Sequence, residues 1–199
     1  MVRHMPMPRT TTPPANTPKG LLLAIDPGDV YTGFVLVDES YRPLEADKID
    51  NHDLLRWIHA NRRRIDHVAM EQLSNIGVVA SDNVLNTALW SGRFHEALIR
   101  EGVGEPRYTK RATIKTWVTG RATTNDTDVR RALADRFAPG EPNFGKGTKA
   151  HPGFFHGFGN DMWAAYAVAV YAIDHPGPIR QGLSTVDNGP VRQPARVFV

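Results

Sequence analysis

Leu21-Leu22-Leu23-Ala24-Ile25-Asp26-Pro27-Gly28, with Thr32-Gly33-Phe34-Val35-Leu36-Val37-Asp38 behind it, is the stretch whose reading decides the fold. An apolar run of strand length ends abruptly at a carboxylate, a Pro-Gly pair turns the chain, and a second strand-like run begins. The pattern predicts a β-hairpin with one acid at the end of a buried strand. An ionised carboxylate beside such a run costs several kcal/mol unless a cation or hydrogen bonds compensate it. Two readings follow: Asp26 is a metal ligand, or it is a turn residue capping its own backbone.

Working outward, the 199 residues suit one domain with a real core. A hydrophobic content of 41% and a charged content of 23% are ordinary for a globular chain. No apolar stretch reaches the ~18 residues of a membrane helix, and the N-terminus lacks the apolar core of a signal peptide, so the expected location is the cytoplasm. The chain has no cysteine. Disulfides, thiolate metal sites and cysteine nucleophiles are thereby excluded, leaving carboxylate, histidine and hydroxyl chemistry. The net charge is only +3, but the sequence pI is about 9.3 and the cations are clustered. They gather at Arg62-Arg63-Arg64, at Arg107, Lys110, Arg111 and Lys115, at Arg121, Arg130 and Arg131, and at Lys146 and Lys149. Such clusters suit a polyanionic partner such as nucleic acid.

Residues 1–18 are rich in Pro, Thr and Arg without apolar periodicity and read as a disordered arm; residues 176–199 read as a flexible tail. Between them, 19–175 predicts one α/β domain. Strands are expected at 20–26, 31–38, 43–49, 65–71 and 105–109. Helices are expected at 51–62, 81–101, 111–119 and 126–138, the last capped by Thr124 or Asn125. In the helix 81–101, Val84, Leu85, Ala88, Leu89, Gly92, His95 or Glu96, and Ile99 recur at helical spacing, and Trp90 and Phe94, also at helical spacing, are expected as packing or dimer contacts. A Gly-rich loop fills 140–159, and Asn160 is expected to cap a final helix through Ile173 that is apolar all round and therefore buried.

Three acids stand where acids are costly. Asp26 ends the first strand, Glu71 ends the fourth after Val68-Ala69-Met70, and Asp161 opens the most hydrophobic helix. Each has a plain explanation: a turn, a strand surfacing, a helix dipole. If the first and fourth strands are neighbours, the three can meet, and an oxygen-only ligand set suits a hard ion such as magnesium or manganese. Two such ions can hold a phosphodiester for in-line attack by water.

These residues resemble the RuvC-type Holliday-junction resolvases of the RNase H-like fold, and more closely their bacteriophage relatives. The resemblance rests on Ala24-Ile25-Asp26-Pro27-Gly28 with Thr32-Gly33, on Met70-Glu71-Gln72, on Ile114-Lys115-Thr116-Trp117-Val118-Thr119-Gly120, and on Asp161 ahead of Ala164-Ala165-Tyr166-Ala167-Val168-Ala169-Val170. They follow the family's order over roughly 20–173. The resemblance implies a mixed five-stranded sheet flanked by helices and a Mg2+-dependent endodeoxyribonuclease that hydrolyses phosphodiester bonds in four-way junctions or other branched DNA. Mn2+ can substitute, and two ions per site are implied. By that implication Asp26, Glu71 and Asp161 bind the ions. Lys115 meets phosphate near the cut, and the helix 81–101 serves a homodimer, as two symmetric cuts require a two-fold axis. Such an enzyme works in the cytoplasm, that of the host if phage-encoded, in DNA recombination and repair. Lys110, Arg111, Arg121, Lys146 and Lys149 complete the expected DNA-binding set, with Lys146 and Lys149 on a loop over the site.

The sequence departs from the family at two places. A further acid belongs one turn after Asp161, where this chain has Ala164; His156, Asn160 and Asp29 are candidates to stand in. An aromatic belongs three residues after Glu71, where this chain has Ser74. Two other classes remain in view: a branched-DNA-binding protein of the same fold without catalysis, favoured by Ala164, and an actin-like or sugar-kinase-like phosphotransfer domain, which shares the opening hairpin but needs a duplicated domain.

Overall fold

The computed structural model describes residues 7–74, 81–121 and 123–176. Its centre is a five-stranded sheet in the order β3-β2-β1-β4-β5. β1 (Leu22–Asp26), β2 (Tyr31–Val37) and β3 (Pro43–Asp50) form an antiparallel meander, while β4 (His67–Gln72) and β5 (Arg107–Lys110) add in parallel beside β1. The hairpin is therefore as the pattern predicts, and the mixed five-stranded sheet as the resemblance implies. Asn51–Asn61 forms α1, capped by the Asp50 side chain, which accepts from the His52 amide. Asp82–Arg100 forms α2, Arg111–Thr119 forms α3, and Asp126–Phe137 forms α4. A single turn, α5 (Pro142–Gly145), precedes α6 (Asn160–Asp174).

Side chains alternate across a strand, and the two faces of the sheet build two cores. Leu23 and Ile25 of β1, with Val68 and Met70 of β4, face Leu54 and Ile58 of α1 and Phe94 and Leu98 of α2. Leu22 and Ala24, with Ala69, Val35 and Val37, face α6 and, around it, α3 and α4. Alanines at 165, 167 and 169 let α6 lie close over β1 and β2. The helix is buried nearly all round, as its composition predicts.

Three expectations need correction. In α2 the regular apolar stripe, which amphipathy would turn to the core, points outward: Leu85 is 56% and Leu89 61% exposed, and Val84 and Ile99 are exposed too, while Phe94, expected to pack, is buried with Thr87, Ala97 and Leu98. The C-terminal half of α2 supplies the core through Phe94 and Leu98, so the more regular apolar stripe is left over. At α6 the cap is Gly159, not Asn160, which already lies in the first turn. And part of the expected arm is tied down: without helix or strand, residues 7–18 nonetheless run along the domain, where the Met7 amide donates to the Trp117 carbonyl and Arg136 Nε donates to the Thr10 carbonyl. Residues 1–6 and 177–199 of the expected termini lie outside the described residues. Among the described residues no helix is long and apolar enough to cross a membrane.

Candidate active site

β1 and β4 run parallel with Ile25 opposite Met70. One residue further, at the C-terminal ends of both strands, stand Asp26 and Glu71. Alternation continues the stripe Leu22-Ala24-Asp26 toward α6, so both acids reach a cleft of about 300 Å³ between the sheet end, α3, α4 and α6. The turn after Asp26 is held by other residues. Thr32 Oγ1 accepts from the Gly28 amide at 3.2 Å and donates to Asn51 Oδ1 at 2.6 Å, and Asn51 Nδ2 donates to the Gly28 carbonyl at 3.0 Å. With Thr32 and Asn51 buried and doing the capping, the Asp26 carboxylate is left for the cleft.

Asp161 arrives by a close approach. Gly33 lies opposite Asp26 in the β1–β2 register, and a Cβ there would stand 2.7 Å from the Asp161 carbonyl oxygen and 3.0 Å from its carbon. Glycine thus admits the first turn of α6 onto β2, beside Asp26. Asp161, Asn160, Trp163 and Ala164 all line the cleft.

A fourth carboxylate completes the cluster. Asp126, in the first turn of α4, accepts from Arg111 Nη2 at 3.0 Å and lies 3.0 Å from Lys115 Nζ. Arg111 spans the acids: its Nη1 is 3.1 Å from Glu71 Oε2 and 3.8 Å from Asp26 Oδ1. Asp161 instead pairs with Lys48 of β3 at 2.8 Å. Burial, reinforced by the Glu71 charge and only partly offset by Arg111, pushes the Asp26 carboxyl up to about 8. Burial also raises Glu71, against the pull of Arg111. Burial works against the charged form of Asp126 as well, but Lys115 and Arg111 outweigh it and hold that carboxyl below its usual value.

Of the residues predicted from sequence, Asp26, Glu71, Asp161, Arg111, Lys115 and Asn160 come together at this cleft. Arg111, expected on DNA, is turned inward onto the carboxylates. Lys110 and Arg121 are exposed nearby in the chain but do not line the cleft. Neither do Lys146 and Lys149, so the loop expected over the site is not seen there; its Phe155 and Phe158 are instead buried against Trp163. His156 lines a separate groove by β3, with Nδ1 at 3.3 Å from the Lys146 carbonyl, and Asp29 is absent from the cleft lining. Asp126, Lys48, Arg130 and Trp163 were not legible as site residues. For Asp126 a signal existed. Asn125 and Asp128 complete the capping box by themselves, which leaves Asp126 as an acid the cap does not need.

No protein-family model matches the chain, and no curated protein matches its sequence. Solved structures do match. Thermus thermophilus RuvC in complex with a Holliday junction substrate superposes with a TM-score of 0.52 at 16% identity, covering 76% of this chain and 91% of that one. A second Thermus thermophilus RuvC structure gives 0.50 at 17% identity, covering 76% and 95%. At this identity the likeness concerns the backbone: the chain has the RuvC-type, RNase H-like α/β fold.

Proposed function

We propose that the protein is a metal-dependent endonuclease that hydrolyses phosphodiester bonds in branched DNA, four-way junctions foremost. The observation that carries this reading is the set of carboxylates gathered in one cleft at the end of β1 and β4. Two of them are so buried that they resist ionising without a cation. Arg111 supplies that charge only in part, and its position on Asp26 and Glu71 marks where positive charge is wanted. The donors are carboxylate oxygens, which suits Mg2+ or Mn2+. Among the described residues no three acids or histidines stand in a metal-holding group, and Asp161 pairs with Lys48. That pair is half-exposed, so exchanging Lys48 for an ion costs little.

Asp26, Glu71 and Asp161 would hold the ion or ions. When bound, they supply Lewis-acid stabilisation of the scissile phosphate and a more acidic water. Arg111 would leave Asp26 and Glu71 while keeping Asp126, which it contacts through its other nitrogen. Lys115 at the cleft wall would meet the phosphate. Water oxygen bonds to phosphorus, the P–O3′ bond breaks, and the proton ends on the departing 3′-oxygen. The RuvC structure solved with a Holliday junction supports the substrate class. The exposed apolar stripe of α2 supports a two-fold dimer, which paired cuts require.

The test is a labelled four-way junction incubated with and without Mg2+ or Mn2+. Paired nicks that need the metal are expected, and Asp26→Asn should abolish them while junction binding survives. Cleavage retained by Asp26→Asn in Mg2+ would sink the assignment. A gel shift without cuts would favour the non-catalytic binder, and ATP turnover a phosphotransfer domain.

A further inference from the structure

The cleft has a second wall whose chemistry is opposite to that of the acids. Arg130 of α4 and Trp163 of α6 both line it. The Arg130 guanidinium lies over the rings of Phe144, at 5.5 Å, and Trp163, at 5.8 Å, and its Nη2 donates to Asn160 Oδ1 at 2.7 Å. Arg130 Nε and Trp163 Nε1 are both buried, and neither finds an acceptor among the described residues. Trp163 is only 3% exposed, its ring wedged by Phe155 at 4.4 Å and Phe158 at 5.2 Å, so its N–H cannot swing elsewhere. Buried donors without acceptors are rare in folded proteins because each forfeits its hydration. α6 also begins at the same place, at Gly159 with no side-chain cap and with Asp161 in its first turn.

The Arg130 guanidinium and the Trp163 indole can only donate, and the Asn160 oxygen is already used, while the acceptors of the cleft, Asp161 and Asp126, lie alongside. Neither the guanidinium nor the indole can bind a cation. A buried water can take one N–H but brings no negative charge to Arg130. Anionic oxygens match these donors and the Arg130 charge, and the acids alongside mark where a scissile phosphate would sit.

We propose that Arg130 and Trp163, at the start of α6, form a phosphodiester subsite that holds a non-bridging oxygen of a strand phosphate neighbouring the one cut. This rests on the nuclease reading for its place in the reaction, but the anion chemistry can be tested without it. On the full chain, the Trp163 indole N–H resonance, assigned with Trp163→Phe, is followed by NMR during titration with inorganic phosphate at constant ionic strength. A saturable shift is expected in the wild type and its loss in Arg130→Gln, with the indoles of Trp57, Trp90 and Trp117 unmoved as evidence of an intact fold. In Mg2+-free junction binding, Arg130→Gln should lower the slope of log affinity against log salt by about one, as for a single phosphate contact, while Arg130→Lys should retain most of it.

An indole that ignores phosphate, together with an unchanged salt slope in Arg130→Gln, overturns the subsite. If the wild type nonetheless cuts junctions, the nuclease reading stands without it. An indole shift in a protein that cuts no branched DNA keeps the anion subsite and removes the nuclease.

Discussion

Asp26 shows how a single carboxylate is prepared for a cation. Its backbone is fixed by the parallel register with β4, its turn is capped by Thr32 and Asn51, and its charge is opposed by burial and by Glu71. A pH dependence follows. In the unfolded chain an Asp ionises near pH 4, whereas in the metal-free native state it stays neutral until about 8. The native state therefore binds the extra proton between those values. The stability this contributes is complete below about pH 4 and is lost as pH rises toward 8, at up to roughly 1.4 kcal/mol per pH unit. Urea unfolding of the metal-free protein at pH 5 and pH 8 should show a steeper decline for the wild type than for Asp26→Asn, whose amide does not titrate. Equal slopes would mean that Asp26 is ionised throughout. Asp126 behaves oppositely: Lys115 and Arg111 favour its charged form, so it is the acid that would keep Arg111 near if an ion displaced it from the others.

At the scale of elements, the close approach of α6 to β2 decides whether Asp161 belongs to the site. Because the obstacle a Gly33 Cβ would meet is backbone of Asp161, no rotamer change relieves it. Gly33→Ala should destabilise the fold by ~1–3 kcal/mol, as overpacking does, and should lower cleavage more than junction binding. Thermal unfolding beside a cleavage assay measures both; an unaltered cleavage rate would show that α6 can shift without moving Asp161 off the site. The other informative element is α2. Its periodicity was plain in the sequence, yet the helix buries Phe94 and Leu98 and leaves Leu85 and Leu89 in solvent. Local spacing defines that a helix is amphipathic but not which neighbour claims which face, since this depends on the angle at which α2 crosses α1 and the sheet.

For the whole molecule, two layers of helix around one mixed sheet bring acids from both ends of the chain into one cleft and leave the α2 stripe uncovered by the described residues. Covering that stripe with a second copy is the economical use of it, and a two-fold axis would present two clefts to a symmetric junction. Leu85→Glu combined with Leu89→Glu should convert a dimer to a monomer in sedimentation velocity, with little change in the melting temperature because neither side chain supports the core. A wild type that sediments as a monomer at micromolar concentration would refute the dimer. A separate long-range tie closes the other end of the domain. Buried Arg136 of α4 meets Asp174 at the end of α6, whose carboxylate also accepts from Tyr41 Oη at 2.6 Å. Nothing in the local patterns around these residues announces that network.

What the sequence determined alone was everything carried by short-range periodicity: the opening hairpin, the alternation of strand and helix, the buried final helix, and three acids at positions where burial makes a carboxylate costly. Those signals are local because side chains alternate every two residues in a strand and recur every 3.6 in a helix. Tertiary structure alone decided which charges meet. Arg111 turned from an expected DNA contact into the cation between Glu71, Asp26 and Asp126. Lys48 claimed Asp161, Lys146 and Lys149 were kept out of the cleft lining, and Arg130 Nε and Trp163 Nε1 were left without acceptors among the described residues. Electrostatic partners are chosen by distances between residues far apart in the chain, and those distances exist only once the sheet order and the approach of α6 over Gly33 have been set.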